Sequence, residues 1–214
     1  MVKFAMKEKF KFKQFTVYQE KCAMKIGTDG VLLGAWASLK HNPNSVLDIG
    51  TGTGVIALQL AQRSDAELID ALEIDDNAYE QAVENFEQSP WNNRLFCYHI
   101  SLEEFTKEID EKYDLIVSNP PFYNDEFESN SRARNTARFT SALSFNNLLD
   151  SVSKLLSERG SFSVIIPFKE EVNFIDLAEK NNLFISKICR VKGSPNSEIT
   201  RSLLEFSFYK KEKL

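Results

Sequence analysis

Short apolar runs alternate with longer amphipathic stretches from residue 45 onward. Short apolar runs are typical of buried strands, and apolar positions three or four apart indicate one face of a helix. Their alternation predicts an α/β fold, a doubly wound and mostly parallel sheet with helices on both faces. The predicted strands lie at 45–49, 67–74, 95–100, 113–118 and 161–167, and the predicted helices at 55–63, 77–88, 145–158 and 170–181.

The two ends of the chain follow other patterns. Residues 9–17 alternate polar side chains, mostly lysine, with phenylalanine and valine, and a period of two predicts a half-buried β-hairpin. A helix is predicted to begin near Thr28. The last two strand-like runs, 184–191 and 203–209, are joined by a connection too short for a crossover helix, so we expect them to be antiparallel to each other.

Length and composition favour one domain with a full core. The chain has 214 residues, of which 43% are apolar, and a chain of this size can bury most of its apolar surface. We expect a single domain over residues 1–214. Within it, residues 1–27 form a basic hairpin extension, and residues 28–214 form the core.

The cysteine and histidine content excludes several kinds of site. Cys22, Cys97 and Cys189 lie far apart and form no Cys-x-x-Cys pair, which argues against a disulfide framework and a thiolate zinc site. Two histidines make a histidine-rich metal site improbable. No stretch of eighteen apolar residues is present, so a membrane span is not expected. We expect a cytoplasmic monomer without a metal.

Charge is unevenly distributed along the chain. The net charge is −5, yet residues 1–25 carry seven Lys or Arg against two acids, and residues 187–214 carry seven against three. Basic ends flank an acidic middle. Such ends can bind a polyanion, because neutralised phosphates release counterions. The alternative is that exposed lysines only keep the protein soluble.

A glycine-rich turn follows the predicted strand at 45–49. Asp48 precedes Gly50, Gly52 and Gly54, a spacing that differs from the G-x-G-x-x-G of dinucleotide sites. Bare backbone at a helix start lets a cofactor approach, and the acid attracts an ammonium group but repels a pyrophosphate. Glu73 ends the next strand, where a carboxylate can accept hydrogen bonds from ribose hydroxyls. The turn favours S-adenosylmethionine over NAD, with an ordinary tight turn as the alternative.

A second motif, Asn119-Pro120-Pro121-Phe122, follows the predicted strand at 113–118. Proline fixes its own φ angle, so this turn is rigid. The Asn119 side-chain oxygen and the Pro120 carbonyl can each accept one N–H of a planar amine, which leaves the nitrogen lone pair for a methyl group. Phe122 can stack on the ring that bears the amine. Together the two motifs predict methyl transfer to nitrogen; the alternative is a turn followed by a core phenylalanine.

Beyond these motifs, the chain resembles the bacterial valine-tRNA adenine-N6 methyltransferases. Residues 12–19 and 23–36 look like the amino-terminal signature of that family. Residues 137–144 resemble its segment after the active-site loop, with Phe139 where the family has histidine. The resemblance implies a Rossmann-like seven-stranded class I methyltransferase fold with S-adenosylmethionine as donor. It also implies tRNA as acceptor, methylated on the adenine 3′ of the anticodon.

The resemblance also implies roles for individual residues around the cofactor. The glycine turn would hold the methionine part of the cofactor, and Glu73 would hold the ribose. Ile74 and Leu102 would flank the adenine, and the Ser101 hydroxyl would recognise its edge. Thr28 and Asp29, at a helix start, would bind the carboxylate of the cofactor or merely cap the helix. The residues concerned are Asp48, Gly50, Gly52, Gly54, Glu73, Ile74, Leu102, Ser101, Thr28 and Asp29.

Basic side chains in three parts of the chain are candidates for phosphate contacts. The segment at 123–143 is longer than most connections in compact domains, and its arginines can clamp phosphates over an extruded base. The alternative is a solvated surface loop. Contacts of this kind position an RNA without reading its sequence. The candidates are Arg132, Arg134 and Arg138 in this segment, Lys9, Lys11 and Lys13 in the hairpin, and Arg190, Lys192 and Arg201 near the carboxyl end.

Two other functions compete with tRNA methylation. A protein-glutamine methyltransferase would use the same Asn-Pro-Pro turn, although such enzymes usually carry a helical amino-terminal domain and a tyrosine after the prolines. The other alternative is an inactive RNA-binding module of the same fold. Intact residues 119–122 argue against the loss of the reaction.

Overall fold

A central seven-stranded sheet and a small hairpin organise the parts of the chain that the computed structural model describes, residues 9–121 and 143–210. The hairpin consists of β1 (Lys9–Lys11) and β2 (Thr16–Tyr18). The sheet consists of β3 (Ser45–Ile49), β4 (Leu68–Glu73), β5 (Leu95–His99), β6 (Tyr113–Ser118), β7 (Leu156–Pro167), β8 (Phe184–Lys192) and β9 (Ile199–Ser207). Across the sheet the order is β5-β4-β3-β6-β7-β9-β8.

Helices connect most of these strands. They are α1 (Thr28–Trp36), α2 (Val55–Arg63), α3 (Asp76–Glu87), α4 (Leu102–Glu108), α5 (Phe145–Leu155) and α6 (Glu171–Lys180), the last preceded by a 3₁₀ turn (Phe168–Glu170). Strands β3 to β7 pair in parallel, and β9 pairs antiparallel with both β7 and β8. The predicted fold class, the amino-terminal hairpin and the antiparallel end of the sheet are confirmed.

Helix α4 was not among the predicted elements. It is short, and its start is fixed by a capping box in which Ser101 and Glu104 bond each other's backbone amides. Leu102 and Phe105, three residues apart, bury its inner face. The S-x-x-E pattern before an apolar pair is a recognisable helix start, so the signal for this helix was present in the sequence.

The boundary between α5 and β7 also differs from the prediction. The helix ends at Leu155, and β7 begins at Leu156. The pairing of β7 with β6 shifts register near Tyr113. At Gly160 a Cβ would lie 2.9 Å from the Tyr113 carbonyl oxygen, so the strand can pass this close only without a side chain. The polar residues before Gly160 interrupt the apolar pattern, so the sequence did not indicate that the strand begins at Leu156.

The hydrophobic core lies on both faces of the sheet. One cluster packs α1, α2 and α3 against the sheet and includes Phe15 and Val17 of the hairpin. The other packs α4, α5 and α6 against the opposite face, with Phe174 and Phe206 fully buried. Full burial of one such side chain contributes about 1.5–3 kcal/mol. The hairpin is therefore anchored in the main core while its lysines remain exposed.

Candidate active site

The two sequence motifs emerge side by side at the carboxyl edge of the sheet. Strand β3 lies between β4 and β6, with Ile49 opposite Leu72 on one side and Ser118 on the other. The Ser118 hydroxyl donates to the Ile49 carbonyl at 3.0 Å. The chain leaves β3 toward β4 and returns to β6 on the opposite side, so a crevice forms where ligands of open α/β sheets bind.

The glycine turn after β3 requires its glycines for two different reasons. Gly50, Gly52 and Gly54 have φ angles of +72°, +56° and +80°, a region that favours glycine. A Cβ on Gly50 or Gly52 would meet no atom within 4 Å, whereas one on Gly54 would lie 2.5 Å from Cε1 of Phe86. The first two glycines therefore leave open backbone for a ligand, and the third allows α3 to pack against the turn.

Hydrogen bonds to β4 and to Asp48 at the end of β3 fix the turn. The amides of Gly50 and Thr51 donate to the Leu72 carbonyl of β4, each at 3.0 Å. The Thr51 hydroxyl donates to Asp48 Oδ2 at 2.6 Å, and the Ala57 amide at the start of α2 donates to the same oxygen at 3.2 Å. The Asp48 carboxylate thus ties strand, turn and helix together.

Asp48 is fully buried, and its charge is poorly compensated. Burial raises the pKa of its carboxyl to about 7, against the lowering effect of the Thr51 and Ala57 hydrogen bonds, and nearby Glu73 raises it further. Its Oδ1 atom has no hydrogen-bond partner among the described residues. A buried carboxylate oxygen without a donor fits the ammonium of an amino-acid cofactor.

Glu73 closes the other side of the turn. Its Oε2 accepts from the Gly52 amide at 2.8 Å, and its Oε1 accepts from the amides of Ile74 at 2.8 Å and Asp75 at 3.0 Å. The neighbouring Ile74 is 52% exposed. A carboxylate beside an exposed apolar side chain suits a ribose joined to a flat base, and these two roles stay predictions.

Of four other predicted cofactor residues, Ser101 and Asp29 bind side chains of the protein, and Leu102 is buried. The Ser101 hydroxyl donates to Glu104 Oε2 at 2.6 Å and caps α4, and Leu102 is only 6% exposed. Helix α1 begins at Thr28, but its N-cap is Gly27 and no side chain caps it. Asp29 accepts from Arg201 Nε at 2.7 Å. Capping is therefore not the function of Thr28 or Asp29, and cofactor binding by these four residues stays a prediction.

The Asn-Pro-Pro turn continues β6 beyond Ser118. Asn119 is half-buried, Pro120 is buried and Pro121 is exposed. Within residues 9–121 and 143–210, the Asn119 side chain has no hydrogen-bond partner, and its role toward an acceptor amine stays a prediction. Phe122, and with it Arg132, Arg134 and Arg138, lies outside the described residues.

The remaining basic candidates divide into two groups. Lys9, Lys11, Lys13 and Lys192 are exposed. By contrast, Arg201 pairs with Asp29, and the Arg190 guanidinium binds both carboxylate oxygens of Glu171, with Nη2 to Oε1 at 2.7 Å. The Arg190 bonds hold the pKa of the nearly buried Glu171 below its usual range. These two arginines already have structural partners.

Sequence reasoning missed two buried amides on α3, Gln81 and Asn85, which bind main-chain groups of residues 18–21. The available signal was two amide side chains one turn apart, on the face that also carries the apolar Ala78, Ala82 and Phe86.

A cavity of about 340 Å³ lies between α3 and the edge strand β5. None of the predicted site residues lines it.

Substitution of the two turn glycines should separate stability from cofactor binding. Gly54→Ala adds overpacking against Phe86 to a left-handed backbone, and we expect it to lower the free energy of unfolding by about 2–4 kcal/mol. Gly52→Ala should lower the free energy of unfolding by only about 1–2 kcal/mol. Its methyl group occupies the open face of the turn, so cofactor binding should weaken. Urea denaturation and calorimetric titration with S-adenosylhomocysteine measure the two effects; equal stability losses would contradict this division.

The raised pKa of Asp48 predicts a stability that depends on pH. Between pH 4 and pH 7 the folded state retains a proton that the unfolded chain has released, so the free energy of unfolding falls as pH rises. Asp48→Asn removes this loss. The melting temperature of the variant minus that of the original protein should be at least about 2 °C higher at pH 8 than at pH 5. Cofactor binding by the variant should be weaker. A difference that stays constant with pH would contradict an elevated pKa.

Comparisons with known proteins agree with this geometry. The family model described as "Methyltransferase small domain" matches residues 30–167. Among solved structures, a methyltransferase from Pyrococcus furiosus has a TM-score of 0.60 at 20% identity, covering 88% of this chain and 90% of that chain. M. jannaschii TYW2 in complex with AdoMet has a TM-score of 0.59 at 15% identity, covering 94% of this chain and 86% of that chain. At these identities, the two structures show the shared fold.

Two curated relatives match much more closely in sequence. The tRNA1(Val) (adenine(37)-N6)-methyltransferase of Christiangramia forsetii is 61% identical over 205 residues, which cover 95% of this chain and 85% of the relative. The protein of that name from Pseudoalteromonas translucida is 47% identical over 199 residues, covering 93% and 84%. The chain therefore belongs to the tRNA1(Val) (adenine(37)-N6)-methyltransferase family.

Proposed function

We propose that this protein transfers a methyl group from S-adenosylmethionine to the exocyclic N6 of an adenine in tRNA, at the position 3′ of the anticodon in valine tRNA. The observation that carries the proposal is the juxtaposition of the Asp48–Gly54 turn and the Asn119–Pro121 turn on adjacent parallel strands, with Ile49 opposite Ser118. The activity named for relatives up to 61% identical supports the same conclusion.

The first turn suits the cofactor. S-adenosylmethionine supplies an electrophilic methyl group on its sulfonium when bound. Asp48 Oδ1 accepts the ammonium, and the open backbone at Gly50 and Gly52 admits the methionine part. Glu73 exchanges an amide contact for the ribose hydroxyls, and Ile74 covers one face of the adenine.

The second turn holds the acceptor nitrogen. The lone pair of an adenine N6 is delocalised into the ring, so the amine must be held as it pyramidalises. The Asn119 side-chain oxygen and the Pro120 carbonyl accept its two N–H groups and leave the lone pair directed at the methyl group. Methyl transfer would form the C–N bond as the C–S bond of the bound cofactor breaks, and the nitrogen, held by Asn119 and Pro120, would then release one proton to solvent. Positioning and these two acceptors provide most of the acceleration, and Phe122 stacks on the base.

The RNA is held by exposed lysines of the hairpin and of β8, with the arginines at 132, 134 and 138 as further contacts. Lys9, Lys11, Lys13 and Lys192 are exposed and suited to phosphate binding. An anticodon loop offers the unpaired base that a methyltransferase pocket requires. Arg190 and Arg201 contribute by holding protein structure, through their ion pairs with Glu171 and Asp29.

Organisation and location complete the proposal. No helix in the described ranges is long and apolar enough to cross a membrane, and no three potential metal-binding side chains cluster among those residues. We propose a cytoplasmic monomer that needs no metal for the reaction. Its residues 1–27 extend a core at 28–214 within a single domain.

The central test is methyl transfer to unmodified valine tRNA. With isotope-labelled S-adenosylmethionine, mass spectrometry of digested tRNA should detect labelled N6-methyladenosine, mapped to the position 3′ of the anticodon. Asn119→Ala should lower the rate at least about 100-fold while cofactor affinity is unchanged. The control is Asn173→Ala, on the exposed face of α6. Methylation of protein but not tRNA, or full activity of Asn119→Ala, would refute the proposal.

The hairpin lysines should account for part of the salt dependence of tRNA binding. Replacement of Lys9, Lys11 and Lys13 together by glutamine should reduce the slope of log affinity against log salt by about 2–3, without changing kcat at saturating tRNA. The matched control replaces three exposed lysines elsewhere, Lys40, Lys107 and Lys180. Filter binding at several salt concentrations gives both slopes, and equal slopes would remove the hairpin from the interface.

A further inference from the structure

Helix α3 buries two amide side chains where an amphipathic helix normally buries apolar ones. Gln81 is 0% exposed and Asn85 is 1% exposed. Burying an amide is unfavourable unless its hydrogen bonds are satisfied. The groups that satisfy Gln81 and Asn85 therefore show what these side chains do.

Both amides bind the main chain of Tyr18–Lys21, a segment that we call the strap. Asn85 Oδ1 accepts from the Tyr18 amide at 2.8 Å, and its Nδ2 donates to the Tyr18 carbonyl at 2.8 Å. Gln81 Oε1 accepts from the Lys21 amide at 3.1 Å. Lys21 Nζ contacts Glu84 at 2.7 Å and Glu80 at 2.9 Å, and these bonds raise the pKa of Lys21. The strap is thus held to α3 at both ends.

Asn85 has a second contact that Gln81 lacks. Its Nδ2 also donates to the Thr53 carbonyl at 2.9 Å, inside the glycine turn, and the next residue, Phe86, packs against Gly54. One buried side chain therefore bonds the strap and the cofactor turn at the same time. Among the described residues, the Thr53 carbonyl and the Tyr18 carbonyl share this one donor nitrogen.

The strap joins the hairpin to the carboxyl edge of the sheet. It begins at Tyr18, the last residue of β2, so it continues from the strand that pairs with the lysine-bearing β1. Beyond it, burial raises the pKa of the Cys22 thiol to about 11, and the charges of Glu73 and Asp75 add to that rise. Through Asn85, the strap is also joined to the Thr53 carbonyl of the glycine turn, at the carboxyl edge of the sheet.

We propose that Asn85 is a positioning residue that couples cofactor binding to tRNA binding. This inference rests on the proposed function, because it requires the hairpin to contact RNA and the turn to hold S-adenosylmethionine. A cofactor that contacts the turn biases the position of the Thr53 carbonyl, and through Asn85 it biases the position of the strap and the orientation of the hairpin. By linkage, tRNA bound to the hairpin biases the turn by the same coupling free energy.

The test is the affinity for S-adenosylhomocysteine, measured by calorimetry with and without saturating valine tRNA. For the original protein we expect tRNA to raise this affinity by about fivefold or more. Asn85→Leu, of nearly the same shape, should reduce the factor toward one, and KM for both substrates should rise more than kcat falls. Gln81→Met removes the bond from the Lys21 amide and a bond from Gln81 Nε2 to Glu84 Oε2, and neither bond involves the glycine turn. Affinity without tRNA should therefore stay unchanged while the coupling factor falls.

Two further variants keep the test decisive. Asn181→Leu removes a side-chain bond to the Leu177 carbonyl at the end of α6, far along the chain from the strap, and should leave the coupling unchanged. If Asn85→Leu does not fold, Asn85→Asp retains the acceptor for the Tyr18 amide and lacks the donor to Thr53. It should lose the coupling as well.

The outcomes separate this inference from the proposed function. If the original protein methylates tRNA but its cofactor affinity is the same with and without tRNA, the coupling is refuted and the function stands. A coupling factor that persists in the folded Asn85 variants also refutes it. If tRNA is neither bound nor methylated, the proposed function fails, and the coupling fails with it.

Discussion

The parallel pairing of β3 with both β4 and β6 is the constraint on which the site depends. Because Ile49 lies opposite Leu72 and Ser118, three strands end at the same level. The glycine turn, the Glu73 carboxylate and the Asn-Pro-Pro turn then meet without any long loop to bring them together. Side chains on regular elements are held more precisely than those on loops, and methyl transfer requires such precision because both reactants must be aligned.

Asp48 illustrates a conflict between stability and function. A carboxylate with burial this complete opposes its own ionisation, and Thr51 and Ala57 offset this only in part. The Oδ1 atom has no hydrogen-bond partner among the described residues, and we propose that the unfavourable burial persists because this atom accepts from the ammonium of the cofactor. Strain and uncompensated charge concentrate at functional sites for this reason.

The sequence allowed prediction of the features that depend on local pattern. Strands β3 and β6 and helix α2 have the predicted boundaries, because apolar periodicity is strong there and turn residues bound each element. It did not allow prediction of long-range pairing. Arg190 and Arg201 pair with acids 19 and 172 positions away, which the sequence did not indicate, and their contact with RNA stays a prediction. Such partners become visible only once the topology brings β8 and β9 against α6 and α1.

We propose that the glycine turn and the Asn-Pro-Pro turn are two halves of one site. A bisubstrate compound, in which adenosine N6 is joined by a short tether to the aminoacyl-adenosine part of the cofactor, tests this most directly. We expect this compound to compete with both S-adenosylmethionine and tRNA. Gly52→Ala and Asn119→Ala should each weaken its binding. Competition with only one of the two substrates would contradict a shared site.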